Sequence, residues 1–151
     1  VHDSYEILIQ STLAENDPLR NNVIVELMNG RKKIFQKGTW QGNWMKGNFR
    51  DLGKIKLMID TVPPELFKVG WENGQTFTGN KTLNFRASDK GSDIQSFSAL
   101  LDGKWLLFSN RNGLFTYNFD EHCTTGNHEL KVTVTDIAGN ETTQQFSFIK
   151  K

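Results

Sequence analysis

The sequence predicts an all-β fold, and three observations support this prediction. Apolar and polar residues alternate over many short runs, as in Leu130–Thr135 and in Leu83–Ala87. No segment shows a sustained apolar period of 3.6 residues, and a period of two is typical of half-buried antiparallel strands. Dipeptides that tolerate the positive φ of tight hairpins separate the runs: Asn29-Gly30, Asn73-Gly74, Asp102-Gly103 and Asn112-Gly113.

Length and composition restrict the classes of protein that the chain can represent. Its 151 residues include 18 basic and 17 acidic residues and carry a formal net charge of +1, so the basic surface typical of nucleic-acid binding is missing. No apolar stretch approaches the ~20 residues that a membrane-spanning helix requires. A single cysteine, Cys123, has no partner for an internal disulfide. We expect a globular chain with no nucleic-acid partner and no membrane span.

A pair of prolines divides the predicted strands into two groups. Asp60–Pro64 follows one strand and precedes another, and prolines donate no ladder hydrogen bond and favour extended backbone before them. We therefore predict two tandem β-sandwich modules, residues 1–60 and 61–151. The second is expected to be an immunoglobulin-like sandwich of about seven strands. The first is expected to be a small sandwich, complete or lacking strands, because a domain of ~60 residues has a marginal core. The predicted strands lie near 4–10, 22–28, 31–36, 39–45, 54–60, 65–69, 80–87, 94–101, 104–109, 113–119, 127–135 and 142–149.

The sequence contains no complete catalytic or zinc-binding arrangement. His2, His122 and His128 form no H-x-H or H-E-x-x-H pair, and we interpret them as surface or edge residues. Cys123 has only His122 as a local base, in a loop-like run without a strand-to-helix turn that exposes a thiolate. No G-x-S-x-G sequence is present. We predict no catalytic residue, no cofactor and no enzymatic activity for these residues.

Two short acidic runs offer a calcium hypothesis. Asp89 and Asp93 lie in Ser88–Asp93, and Asp136 opens Asp136–Asn140. Loops at one end of a sandwich can supply the several oxygen ligands that Ca²⁺ takes. The alternative, which we favour, is that Asp and Asn side chains cap their own turns, with glycine at the left-handed position.

Aromatic residues offer a second candidate site. Trp40 and Trp44 have the same parity, so one uninterrupted strand would place both indoles on one face with Gly42 between them. Such a pair could stack on sugar rings or a peptide, or it could be the core of a small domain. Core packing is the favoured alternative. Trp71 and Trp105 are interpreted as core or domain-interface residues on the same grounds.

Several motifs in order resemble a known family of bacterial proteins. The sequence of Asp60–Pro64 resembles the D-T-x-x-P junction that precedes immunoglobulin-like modules of bacterial surface and secreted proteins, and Leu130–Asn140 resembles their penultimate strand with its D-x-A-G-N turn. The longer order resembles the C-terminal region that follows the catalytic domain in some Gram-negative lysostaphin-type zinc metallopeptidases, which are peptidoglycan endopeptidases. Its further segments are Gly38–Trp40, Asp51–Gly53, Ala99–Trp105 and Gly126–Leu130.

The resemblance implies an accessory region outside the cytoplasm, in the periplasm or cell envelope. The peptidase ligand motifs, H-x-x-x-D and H-x-H, are absent from this sequence, so no catalytic residue is carried over. Because the chain opens Val1-His2-Asp3 with no signal peptide, we expect it to be part of a longer protein. The implied function is to position a cell-wall peptidase, with a catalytic domain of the same parent chain as partner. The alternative is a carbohydrate-binding or adhesive module that uses Trp40 and Trp44 on peptidoglycan or another glycan.

Overall fold

The predicted alternation of buried and exposed residues is present in the computed structural model, which describes residues 3–79 and 81–151. Leu130, Val132 and Val134 are all fully buried. Leu83 and Phe85 are buried in the same way on another strand. The all-β prediction is confirmed, since one short 3-10 helix, Pro18–Asn22, is the only helix in the described part of the chain.

The described residues divide into two units. The first consists of residues up to Val62 together with Gly91–Asp93 and Ile137–Asn140, and the second consists of Pro63–Lys90, Ile94–Asp136 and Glu141–Lys151.

The first unit is a small β-sandwich of two three-stranded sheets. Its strands are β1 (Tyr5–Gln10), β2 (Val23–Asn29), β3 (Lys32–Gln36), β4 (Thr39–Gln41), β5 (Trp44–Phe49) and β6 (Lys54–Ile59). The sheet orders are β1-β5-β4 and β3-β2-β6, with all neighbours antiparallel. Val25 and Leu27 of one sheet share a core with Met45 and Phe49 of the other. The alternating strands therefore pack face to face, with their inner residues between the sheets.

The second unit is a larger sandwich. Its strands are β7 (Glu65–Lys68), β8 (Gln75–Phe77), β9 (Thr82–Ser88), β10 (Ile94–Leu101), β11 (Lys104–Leu106), β12 (Ser109–Arg111), β13 (Leu114–Asn118), β14 (Gly126–Asp136) and β15 (Glu141–Lys150). One sheet has the order β11-β10-β14-β15-β8 and the other β12-β13-β9-β7. This arrangement of five and four strands, with β11 and β8 at the edges of one sheet and β12 and β7 at the edges of the other, is an immunoglobulin-like layout.

Aromatic rings fill the core of the second unit. Trp71, between β7 and β8, contacts the rings of Phe85 on one sheet and of Phe146 and Phe148 on the other. Its Nε1 donates a hydrogen bond to the carbonyl oxygen of Asn84 at 3.1 Å, so the buried indole has its polar atom satisfied. Of the two alternatives for Trp71, core or domain interface, the core position is confirmed.

Contacts within the first unit fix Asp60, the first residue of the junction motif. Asp60 is buried, and its Oδ1 accepts a hydrogen bond from the backbone N–H of Val62 at 3.1 Å, just before the prolines. The carbonyl oxygen of Asp60 accepts from Asn140 Nδ2 at 2.9 Å. A Cβ atom at Gly91 would lie 2.3 Å from Asp60 Oδ1, so only glycine allows this close approach.

Two predicted strands are each divided in the structure. The segment predicted at 39–45 turns at Gly42, where φ is +55°, and becomes the hairpin β4–β5. The segment predicted at 104–109 becomes β11 and β12, which belong to different sheets. The short strand β8, which pairs parallel with β15, is not among the predicted strands.

The tight turns of the second unit are of the predicted kind. Asp102 and Gly103 have φ of 49° and 82°, and Asn112 and Gly113 have 51° and 79°. Positive φ at both central residues is the geometry of the two-residue hairpin that follows the strand twist. Gly139, in the turn between β14 and β15, has φ of 96°.

Replacing Gly139 with Val should destabilise the chain by about 1–3 kcal/mol, because a β-branched residue is strained at positive φ. The new Cβ would also lie 3.0 Å from Lys37 Nζ. Urea unfolding followed by tryptophan fluorescence measures the effect. Gln145→Val, at an exposed strand position, is the control and should unfold with the wild type. Equal midpoints for Gly139→Val and wild type would contradict the turn assignment.

Candidate functional site

An open cleft lies at one edge of the second unit, where the chain passes from one sheet to the other. Strand β11 pairs with β10, whereas β12 pairs with β13, so residues 107–108 cross between the sheets. The cleft has a volume of about 570 Å³ and is lined by residues 105–109, 116–120 and His122. We call it the Trp105 cleft. Its volume lies within the ~300–1,000 Å³ range of small-molecule sites.

The apolar wall of the cleft follows from strand alternation. Leu106 and Phe108 pack into the core, so Trp105 and Leu107 point the other way. Their exposed fractions are 77% and 90%, the largest of any described tryptophan and leucine. Two large apolar side chains side by side in water are typical of contact surfaces. Of the two alternatives for Trp105, core or domain interface, the core position is wrong. The apolar run Trp105–Phe108 already implied that alternate members would face outward.

The polar wall is a hydrogen-bonded group at the end of β13 and on the loop after it. Tyr117 donates its hydroxyl proton to Asp120 Oδ1, and the backbone N–H of His122 donates to the same oxygen at 3.0 Å. The imidazole Nδ1 of His122 lies 3.2 Å from it. The Tyr117 hydrogen bond is the main cause that lowers the pKa of Asp120, whereas burial together with Asp120 raises the pKa of Tyr117. At neutral pH Asp120 is therefore a carboxylate and Tyr117 a neutral phenol.

A second polar group fixes the hairpin that carries Trp105. His128 is only 5% exposed; its Nδ1 lies 2.7 Å from Asp102 Oδ2 and its Nε2 lies 2.6 Å from the carbonyl oxygen of Thr124. The imidazole is therefore held between a carboxylate and a backbone carbonyl oxygen, both of which are hydrogen-bond acceptors. The expectation of a surface or edge position for His128 is wrong. His122 is exposed, and His2 lies outside the described residues.

Asp102 joins this group to the neighbouring strand. Its Oδ1 accepts the backbone N–H of Glu129 at 2.9 Å, and its own N–H donates to the carbonyl oxygen of Glu129 at 2.8 Å. Burial acts to raise the pKa of Asp102, but the Glu129 hydrogen bond and the contact with His128 outweigh it and lower the pKa. The hairpin between β10 and β11 is thus attached to β14 at its tip.

The predicted tryptophan pair does not share a face. Trp40 pairs with Met45 and Trp44 pairs with Gln41 across the β4–β5 hairpin, and cross-strand partners lie on the same face. The indole of Trp40 packs against the core, donates to the carbonyl oxygen of Arg20 at 3.2 Å and lies under the Arg20 guanidinium, 3.8 Å from the ring centroid. The expectation of a shared face is wrong because the chain turns between the two residues.

Trp44 lies on the outer face of the sheet. Its side chain is 44% exposed, and Leu8 on the same face is also exposed. Glu6 and Lys46 form an ion pair of 2.6 Å on that face. A ligand role for Trp44 stays a prediction.

The three predicted calcium ligands are only partly brought together. Asp89 and Asp136, both of the second unit, have carboxylate oxygens within 4.8 Å of each other. Asp93 is an exposed residue whose carbonyl oxygen accepts the N–H of Ile137 at 2.9 Å. Ca²⁺ takes six to eight oxygen ligands, so two carboxylates are a fraction of a site. Calcium binding by these residues stays a prediction.

Cys123 lies in an environment that suppresses nucleophilic chemistry. The residue is buried, and this burial raises the pKa of its thiol. The thiolate, not the thiol, is the nucleophile.

No helix among the described residues is long and apolar enough to cross a membrane.

The strand order of the second unit and its aromatic core define an immunoglobulin-like β-sandwich. Residues 69–149, more than half of the chain, match the family model of bacterial Ig-like domains. The chain belongs to this family. It resembles an uncharacterized protein of Bacillus subtilis (strain 168), YvnB, with 39% identity over 88 residues. That alignment covers 58% of this chain and 6% of YvnB, so the chain spans a small part of that relative.

Two solved structures share the fold. Fibronectin(III)-like modules of Clostridium thermocellum CbhA have a TM-score of 0.50 and 18% identity, over 97% of this chain and 85% of that chain. An endo-beta-1,4-mannanase from Thermotoga petrophila has a TM-score of 0.51 and 10% identity, over 61% of this chain and 20% of that chain. At these identities the similarity concerns the fold alone.

Replacing Asp102 with Asn should destabilise the chain at pH 7 by about 1 kcal/mol, the value of one partly exposed charged hydrogen bond. Asn tolerates the positive φ of this position, so the backbone is kept. Because the pKa of Asp102 is lowered by folding, its contribution is complete above the unfolded value of ~3.9 and is lost as the pH falls through the folded value.

Urea unfolding of both proteins between pH 7 and pH 2.5 tests this expectation. The difference in free energy of unfolding between wild type and Asp102→Asn should shrink towards zero at the acidic end of this range. Asp93→Asn, at an exposed carboxylate, is the matched control. A difference that is constant with pH would show that the Asp102 charge does not stabilise the hairpin.

Proposed function

We propose that this chain is a non-catalytic accessory region of an exported bacterial protein and that its parent is a cell-wall peptidase held near peptidoglycan by these residues. The observation that carries the proposal is that four titratable side chains of the second unit serve the fold: those of Asp102, Asp120, Cys123 and His128. His128 and Asp102 fix a hairpin, and Asp120 binds Tyr117 and its own loop. Cys123 is buried as a thiol.

The family membership supports an accessory role. A sandwich keeps its core when its edges and end loops vary, so a module of this kind can present a surface without chemistry of its own. The mannanase that shares the fold matches over only 20% of its own chain, which is an example of such a sandwich within a larger enzyme.

The choice of a peptidase parent rests on the motif order described above. The junction Asp60–Pro64 and the turn at Asp136–Asn140 occupy the same order as in the region that follows a lysostaphin-type catalytic domain. The same resemblance supports an extracytoplasmic location. The catalytic domain would belong to the same parent chain, and the binding partner of these residues would be the peptidoglycan of the cell wall.

The purified chain should co-sediment with isolated peptidoglycan sacculi and should not solubilise them. Bound protein is measured in the pellet, and released wall fragments are measured in the supernatant. Sacculi treated to remove attached polymers separate binding to peptidoglycan from binding to its decorations. Binding no greater than that to an inert resin without glycan would contradict a role in holding the parent protein at the cell wall. Release of wall fragments into the supernatant would contradict the non-catalytic assignment.

A second candidate function is carbohydrate binding through aromatic side chains, which a specific observation favours. Trp44 and Trp105 are both substantially exposed, on different units, whereas the described Trp40 and Trp71 are held by packing. Exposed indoles offer flat apolar surfaces on which sugar rings can stack. In this hypothesis Trp105 takes the place of Trp40 as the second sugar-contacting tryptophan beside Trp44.

In native gels that contain a soluble polysaccharide, the wild-type chain should migrate more slowly than in gels without it. The double variant Trp44→Ala/Trp105→Ala should lose this retardation, because both stacking surfaces are removed. Leu52→Ala, at an exposed apolar position, is the control. Retardation that the double variant retains would exclude the aromatic hypothesis.

A further inference from the structure

We propose that the Trp105 cleft is a binding site for a neutral saccharide, with one sugar ring stacked on the indole of Trp105. This inference rests on the carbohydrate-binding function proposed above and assigns it to a surface that the sequence did not predict.

The cleft offers an apolar surface and a polar surface, and these complement the two kinds of surface that a sugar has. A pyranose ring has an apolar C–H face and a rim of hydroxyl groups that both donate and accept. Trp105 and Leu107 supply exposed apolar surface on one side. On the other side the carboxylate of Asp120 accepts, and the exposed imidazole of His122 provides a second polar group. Charged acceptors form the stronger hydrogen bonds to hydroxyl donors.

The charges around the cleft favour a neutral ligand over an anionic one. Asp120 and Glu121 follow each other on the loop, and Asp102 lies at the tip of the hairpin before Trp105. Lys104 lies on the same hairpin, and Lys150 Nζ lies 5.5 Å from the centroid of the Phe119 ring. Among the residues that line the cleft, however, Asp120 is an acid and there is no lysine or arginine. A phosphate or an anionic lipid surface would meet this negative charge, whereas a neutral saccharide would not.

The walls of the cleft are held in place before a ligand binds. Trp105 pairs with Leu100 across the β10–β11 hairpin, whose tip is attached to β14 through Asp102. On the opposite wall Tyr117 and the His122 N–H hold Asp120 in one position. Groups that are ordered in the free protein lose little entropy on binding, which is the condition for useful affinity in an open site.

Isothermal titration with neutral oligosaccharides tests the proposal on the full chain. The probes are cellohexaose, mannohexaose and N-acetylchitohexaose, each titrated into wild type, Trp105→Ala, His122→Ala, Trp44→Ala and Leu52→Ala. Because the four replaced residues are exposed, all four variants should melt with the wild type. We expect saturable binding of at least one probe by the wild type, with affinity reduced about 10-fold or more by Trp105→Ala, a loss of ~1.4 kcal/mol. His122→Ala should also weaken binding, and Leu52→Ala, at an exposed apolar position that does not line the cleft, should not.

Each outcome bears on one proposal. Binding that Trp105→Ala leaves intact overturns the cleft assignment, and binding lost in Trp44→Ala instead moves the site to the sheet face of the first unit. A wild type that sediments with sacculi but binds no neutral probe overturns the saccharide cleft and leaves the accessory wall function standing. A Leu107→Ser variant that binds as Trp105→Ala does would support the apolar wall as the contact surface.

Discussion

The contact of Trp71 with rings from both sheets is the interaction on which the second unit depends. The ring centroids of Phe85 and Phe146 lie 5.5 and 5.7 Å from that of Trp71, one on each sheet. Its single cysteine is free, so no disulfide holds the sheets together. Aromatic side chains bury large apolar areas, and their edge-to-face contacts add further stabilisation. A sandwich of this size can therefore keep its two sheets packed together without a disulfide.

This fixed core determines where the candidate site can form. With the inner faces filled, the chain can leave the core only at the sheet edges, and it does so between β11 and β12. The crossing places Phe108 inside and Leu107 outside. The hydrogen-bonded pair of Asp102 and His128 then holds the preceding hairpin. The exposure of Trp105 is therefore a consequence of the architecture rather than of a mobile loop.

Much of the fold could be predicted from the sequence because strand alternation and turn chemistry are local. The inward position of Val132 and the positive φ of Asp102 follow from the residues and their immediate neighbours. The candidate site could not be predicted in the same way. Parity assigned Trp40 and Trp44 to one face, but the Gly42 turn between them reversed the chain and separated the two indoles.

The sequence by itself determined the all-β class, most of its strands, its tight turns and the resemblance to bacterial immunoglobulin-like modules, because these depend on short patterns. The tertiary structure decided which aromatic residues face water and which polar residues meet. His128 contacts Asp102, 26 residues away in the chain, and Trp105 was exposed by a crossing between sheets. Such contacts depend on strand pairing over long separations. The local run Trp105–Phe108 indicated that alternate members face outward, but it did not specify which ones.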